Sequence, residues 1–136
     1  MNKLFFIVLI SMVVTSCNNS TKDVVADNRI ALRTDTINTV KLTDTLVIFE
    51  STCRGCAYER STNFAISDSM NIIKLADIVT TDNSPADMDG GSISKDLILV
   101  PVKPGITIFK LYKFWAQEKT AKDSAGFASY KIEVKQ

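Results

Sequence analysis

Residues 97–115, LILVPVKPGITIFKLYKFW, hold two strand-like runs joined by Pro104-Gly105, a dipeptide that marks a turn. After the turn, Ile106, Ile108, Lys110, Tyr112 and Phe114 fall on one face of an extended chain. Thr107, Phe109, Leu111, Lys113 and Trp115 fall on the other, because strand side chains alternate with period two. Both faces carry bulky apolar groups. The run is therefore expected as a central strand with partners above and below or at its ends, delivering the single Trp of the chain to its tip. Two readings stay open for Trp115. It packs in the core or at an edge, or it is an exposed anchor, since Trp is enriched in interface hot spots.

The rest of the chain repeats the short-strand pattern. Val40-Lys41-Leu42 reads as a short strand followed by a turn. Leu46-Val47-Ile48-Phe49 is a continuous apolar run that fits a strand buried on both sides. Residues 58–66 are mixed and read as a strand. Residues 72–80 fit either period, and their β-branched content favours a strand. Residues 93–102 form another. Ala128, Tyr130, Ile132 and Val134 alternate strictly with Ser129, Lys131, Glu133 and Lys135, which marks a half-buried closing strand. Many short strands between turn-rich loops indicate an all-β sandwich of about seven or eight strands. Three loops stand out, at 51–58, 81–92 and 114–126. Whether they share an end depends on topology.

The first 16 residues, MNKLFFIVLISMVVTS, carry one early cation and then an apolar stretch. The stretch is too short for a comfortable membrane span and has the proportions of a secretory signal. Val14-Thr15-Ser16-Cys17 resembles the lipobox of bacterial lipoproteins, in which the peptide is cut before a cysteine that becomes lipid-modified. The resemblance implies a signal peptide over 1–16, lipidation at Cys17 and a bacterial envelope location, anchored to the membrane through that lipid. Residues 17–35 are polar and without a sustained period, as a tether would be. Residues 36–136 then make one domain, expected as a monomer.

Net charge is +1, with no basic run, so nothing draws nucleic acid electrostatically. The chain has no histidine. That excludes a Ser-His-Asp triad and a Cys-His dyad within it and removes the commonest transition-metal ligand. Cys53-Arg54-Gly55-Cys56 is a C-x-x-C. A thioredoxin-type redox pair needs a helix at the second cysteine, and residues 57–63 open a helix poorly. The alternative is a local disulfide, which an exported compartment permits and which uses the two cysteines left after Cys17. Asp87-Met88-Asp89-Gly90-Gly91 falls short of a calcium loop, because Pro85 stands at a ligand position. The sequence points to a non-enzyme with no metal and no cofactor.

The order of features resembles the chagasin-type inhibitors of papain-like cysteine proteases, over about residues 42–134. That family has an immunoglobulin-like β-sandwich with three loops at one end. The loops form a wedge that enters the protease active-site cleft. Its first loop typically reads N-P-T-T-G-Y-x-W, its second is glycine-rich, and its third reads about R-P-x-W. Here the first loop is represented by Thr52, Cys53, Arg54, Gly55 and Tyr58, with Gly55 at the family glycine and Tyr58 at the tryptophan. Gly90-Gly91 stands at the second. Lys113-Phe114-Trp115 stands at the third, with Trp115 at its tryptophan. Ser51-Thr52-Cys53-Arg54 replaces the Asn-Pro-Thr-Thr portion, Phe114 the proline and Lys113 the arginine. The resemblance implies those ten residues as the partner-binding set and a papain-like cysteine protease as the partner. The altered first loop leaves a second reading, a sandwich binding another protein or a glycan.

Overall fold

The strict alternation near the C-terminus becomes β8 (Phe127–Lys135), with Tyr130, Ile132 and Val134 buried between outward-facing neighbours. The computed structural model describes residues 28–136 apart from 83, 86, 88 and 89. The expected signal peptide, Cys17 and most of the tether fall outside those residues, as do Met88 and Asp89.

Among the described residues, eight strands make two four-stranded sheets. The first runs in the order β1 (Ile30–Ala31), β3 (Leu46–Cys53), β6 (Ser92–Pro101), β5 (Ile73–Thr81). The second runs β2 (Ile37–Lys41), β8, β7 (Gly105–Phe114), β4 (Asn63–Ser67). The architecture is an immunoglobulin-like β-sandwich. All pairings are antiparallel except β1 with β3 and β2 with β8. Leu46, Ile48, Leu97 and Leu99 from the first sheet meet Phe109, Leu111, Tyr130 and Ile132 from the second in one core. The rings of Phe109 and Tyr130 stack there, centroids 5.2 Å apart. Each fully buried aliphatic or aromatic side chain of this kind contributes about 1.5–3 kcal/mol relative to exposure.

β7 is an interior strand, as its pattern predicts, but only one of its faces is covered along its whole length. Thr107, Phe109 and Leu111 point into the core, whereas Ile106 is 70% exposed and Ile108 is also open to solvent. On that outer face, Tyr112 and Phe114 are buried further along. Tyr112 lies against the ring of Phe127, and the Lys119 ammonium sits 3.6 Å from its centroid. Likewise Phe49, expected within a doubly buried run, is exposed, while Leu46, Val47 and Ile48 are buried. Residues 57–61 form turns, so the strand expected over 58–66 begins only at Asn63. Part of the expected tether belongs to the sandwich. Ile30 and Ala31 pair with Leu46 and Val47, and Leu32 is buried in the core.

Register decides which loops share an end. Cys53 faces Ser92 and Thr81 faces Ser94. Phe114 faces Asn63 and Tyr112 faces Phe127. The loops after β3, β5 and β7 therefore leave from the same end, because one strand of opposite direction lies between each and the next. At the other end Leu46 faces Leu99, Ile73 faces Pro101 and Gly105 faces Val134. The chain ahead of β1 arrives at that second end, since Ile30 lies beside Leu46, the first residue of β3.

Two devices secure the second end. The Asp68 carboxylate accepts hydrogen bonds from the backbone N–H groups of Met70, Ile72 and Ile73 and from the Thr107 hydroxyl, at 2.6–2.9 Å. Burial raises the Asp68 pKa, but these bonds outweigh it and hold the carboxyl below its ordinary value. Gly105, in the expected turn, has φ +146°, a conformation open essentially to glycine alone. A Cβ there would lie 2.8 Å from Ile72 Cδ1.

Candidate functional site

The three loops cover residues 54–62, 82–91 and 115–126. The first opens with Cys53 and Cys56 joined in a disulfide. Gly55 between them has φ +73°, and its N–H donates to the Glu59 carboxylate. Thr62 closes the loop, donating to the Tyr58 carbonyl through both its N–H and its hydroxyl, at 3.0 and 2.6 Å. The segment after Cys56 is a chain of turns rather than a helix, so the pair lacks the thioredoxin setting.

Arg54 ties the first loop to the second. Its backbone N–H donates to the Gly91 carbonyl at 3.0 Å. Its guanidinium donates to Asp82 at 2.9 Å and to the Pro85 carbonyl at 3.3 Å. The Asp82 carboxyl is held below its usual range, first by the Ser84 backbone N–H and further by Arg54. The third loop is met by the first residue of β4 and by the first loop. The Asn63 amide donates to the Ala116 carbonyl at 2.6 Å. The rings of Tyr58 and Trp115 approach to 5.7 Å, tilted by 51°, a favourable geometry for aromatic pairs. Both rings are more than half exposed, Tyr58 at 56% and Trp115 at 55%. Within the third loop, Asp123 accepts from the N–H and hydroxyl of Thr120, and those bonds lower its pKa.

Of the ten residues expected at the partner surface, the fold gathers Cys53, Arg54, Gly55, Tyr58, Gly90, Gly91 and Trp115 at this end. Three are turned away from solvent or into other bonds. Thr52 and Phe114 are buried. Lys113 reaches between the sheets, donating to the Glu50 carboxylate at 3.1 Å and to the Ser51 carbonyl at 2.6 Å. Thr52 Oγ1 is buried without a hydrogen-bond partner. Sequence reasoning missed Asp82, Glu59 and Asn63 as braces. Asp82-Asn83-Ser84 carried the signal, because Asp and Asn favour turns by bonding backbone N–H groups. Nothing in the sequence marked which arginine Asp82 would meet.

The geometry defines a β-sandwich that presents three cross-braced loops and an exposed aromatic pair at one end. The crystal structure of a cysteine protease inhibitor from Entamoeba histolytica is similar to this chain at 18% identity and a TM-score of 0.54, covering 78% of this chain and 95% of the inhibitor. The likeness is one of fold. No family model and no curated protein matches the sequence.

Proposed function

We propose that this protein is a lipid-anchored envelope inhibitor of papain-like cysteine proteases, and that its loop end occludes their active-site cleft. The observation that carries the reading is the convergence of three loops around the Tyr58–Trp115 pair, braced by Arg54 and Asn63. Inhibition of this kind needs no catalytic group, so the lack of histidine does not oppose it. It needs a preformed protrusion, because loops already ordered lose less entropy on binding. The disulfide and the Arg54 contacts supply that order. Similarity of fold to a cysteine protease inhibitor and the chagasin-like order of Gly55, Gly90-Gly91 and Trp115 support the same reading. The lipobox-like Val14–Cys17 stretch supports the anchor.

The first loop favours a second reading, because Ser51-Thr52-Cys53-Arg54 shares nothing with Asn-Pro-Thr-Thr. On that reading the same loops bind a different envelope protein or glycan. One experiment separates the two. Titration of the folded protein into several papain-like proteases, followed with a fluorogenic peptide substrate, is expected to give dose-dependent loss of activity. Full activity throughout the panel at micromolar protein would remove the inhibitor reading and leave the second.

A further inference from the structure

Among the described residues, the upper part of one side of the sandwich lacks an edge strand. β1 covers β3 only at Leu46 and Val47, and β2 covers β8 only from Lys131 onward. Above them, among the described residues, Ile48–Cys53 of β3 and Phe127–Tyr130 of β8 have no strand beside them on that side. The transition is built by Asn38, whose side chain donates to the carbonyls of Lys131 and Arg33 and accepts from the Arg33 N–H. Because Lys131 turns its carbonyl to this edge, alternation turns the N–H and C=O of Ser129 and Phe127 the same way. Among the described residues nothing bonds them there. A cleft of ≈ 290 Å³ opens beside them, lined by Glu50 from the first sheet and by Leu111, Lys113, Gly126, Phe127 and Ala128 from the second.

The two open edges are not equivalent. On β3, the Lys113 ammonium occupies the Ser51 carbonyl and is itself held by Glu50. A lysine placed so is a common guard against strand addition. Among the described residues no lysine bonds the outward main-chain groups of Phe127 and Ser129, although Lys113 lines the cleft beside them. The exposed stretch of β8 combines free main-chain donors and acceptors with an apolar floor at Leu111 and Ala128.

We infer that the Phe127–Tyr130 edge of β8 is a docking site for an extended peptide segment of a partner protein, added as a strand in line with β2. Main-chain pairing with Phe127 and Ser129 supplies the attachment, and alternate side chains of the segment enter the cleft over Leu111 and Ala128. The occupant is a single extended chain rather than a second copy of this sandwich. The apolar floor lies between the sheets, where one side chain reaches and a flat sheet edge does not. The segment needs apolar residues at alternate positions and no proline among those facing β8. The site adjoins the third loop through Lys113 and Gly126, yet it uses none of the exposed Tyr58–Trp115 surface, so it stands apart from protease inhibition.

The test uses an acetylated, amidated pentapeptide alternating threonine and valine, titrated into the isotopically labelled protein. The backbone amide signals of Phe127 and Ser129 are expected to shift saturably and to exchange more slowly with solvent. The same peptide N-methylated at alternate amides should bind about tenfold more weakly for each lost bond. Ser129→Pro removes the edge donor and leaves the ladder to β7, so it should abolish the shifts in a protein that still melts cooperatively. Should that variant unfold, Ala128→Leu fills the cleft and should weaken binding in its place. Equal binding by the N-methylated peptide, shifts confined to residues 54–58 and 90–91, or no shifts at millimolar peptide would each overturn the proposal. Concentration-dependent broadening at Phe127 and Ser129 without peptide would overturn it in favour of self-association.

Discussion

The rings of Tyr58 and Trp115 lie 5.7 Å apart, although they arrive on different loops from β3 and β7. Each leaves more than half its surface in solvent, so their contact shapes the loop end without burying it in the core.

Trp115→Ala tests what that surface is for. An anchoring Trp lost from an interface costs on the order of 2 kcal/mol, or about thirtyfold in affinity. Because Trp115 is exposed, stability should move by no more than about 0.5 kcal/mol. Inhibition titrations and melting curves on the same preparation check both halves. A large fall in melting temperature, or unchanged inhibition, would contradict the assignment.

The Cys53–Cys56 bridge should appear in unreduced mass spectra of protein purified without reductant from its source cells. Chain-entropy reasoning gives so short a ring about 2 kcal/mol of stability at most. Reduction should therefore weaken protease binding while leaving the sandwich folded. Two thiols that alkylate freely before reduction would count against the bridge.

Asp68→Asn addresses the opposite end. The folded-state pKa of Asp68 is depressed, so its contribution is present above the ordinary carboxylate pKa and is lost as pH falls through the folded value. The hydrogen bonds to a partly screened carboxylate are worth about 1–2 kcal/mol together. The unfolding free energy read from urea titrations at neutral pH should drop by that amount in the variant. Below the folded-state pKa the difference between variant and parent should close. A gap that persists unchanged into acid would assign the effect to geometry instead of charge.

Gly105→Ala should destabilise by at least about 1–3 kcal/mol, since the alanine must adopt a strained φ while its Cβ presses on Ile72. Trimming the neighbour, with Ile72→Val, should recover part of the loss that comes from overlap and none that comes from strain. Chemical denaturation of the two variants and their combination measures the split.

Cys17→Ser should abolish incorporation of labelled fatty acid and release the protein from membranes. Undiminished labelling of the variant would sink the lipobox assignment.

Much of the fold was legible in the chain, and what was not has physical causes. The β8 alternation could be read directly, because Tyr130, Ile132 and Val134 are buried on one face only. β7 misled, because Ile106 and Ile108 are as apolar as core residues but face solvent, and alternation reports a strand without reporting which face is covered. Tyr112 is covered by Lys119, within the third loop, and by Phe127, just beyond it, and the path of that loop is set by tertiary contacts. β1 is two residues long, too short for any period, and exists through its pairing with β3. The loop motifs were visible singly. That they share an end follows from strand register, and Arg54 meeting Asp82 follows from that end being closed.

The arrival of the chain beside Leu46 also sets which end of the sandwich the described N-terminal residues occupy. β3 has eight residues and rises about 3.3 Å for each, which puts the Cys53 turn roughly 23 Å above the point where β1 begins. An attachment at Asn28 itself would hold the sandwich by its foot. The Tyr58–Trp115 tip would then lie at the opposite end from that attachment, with the length of the sandwich between them.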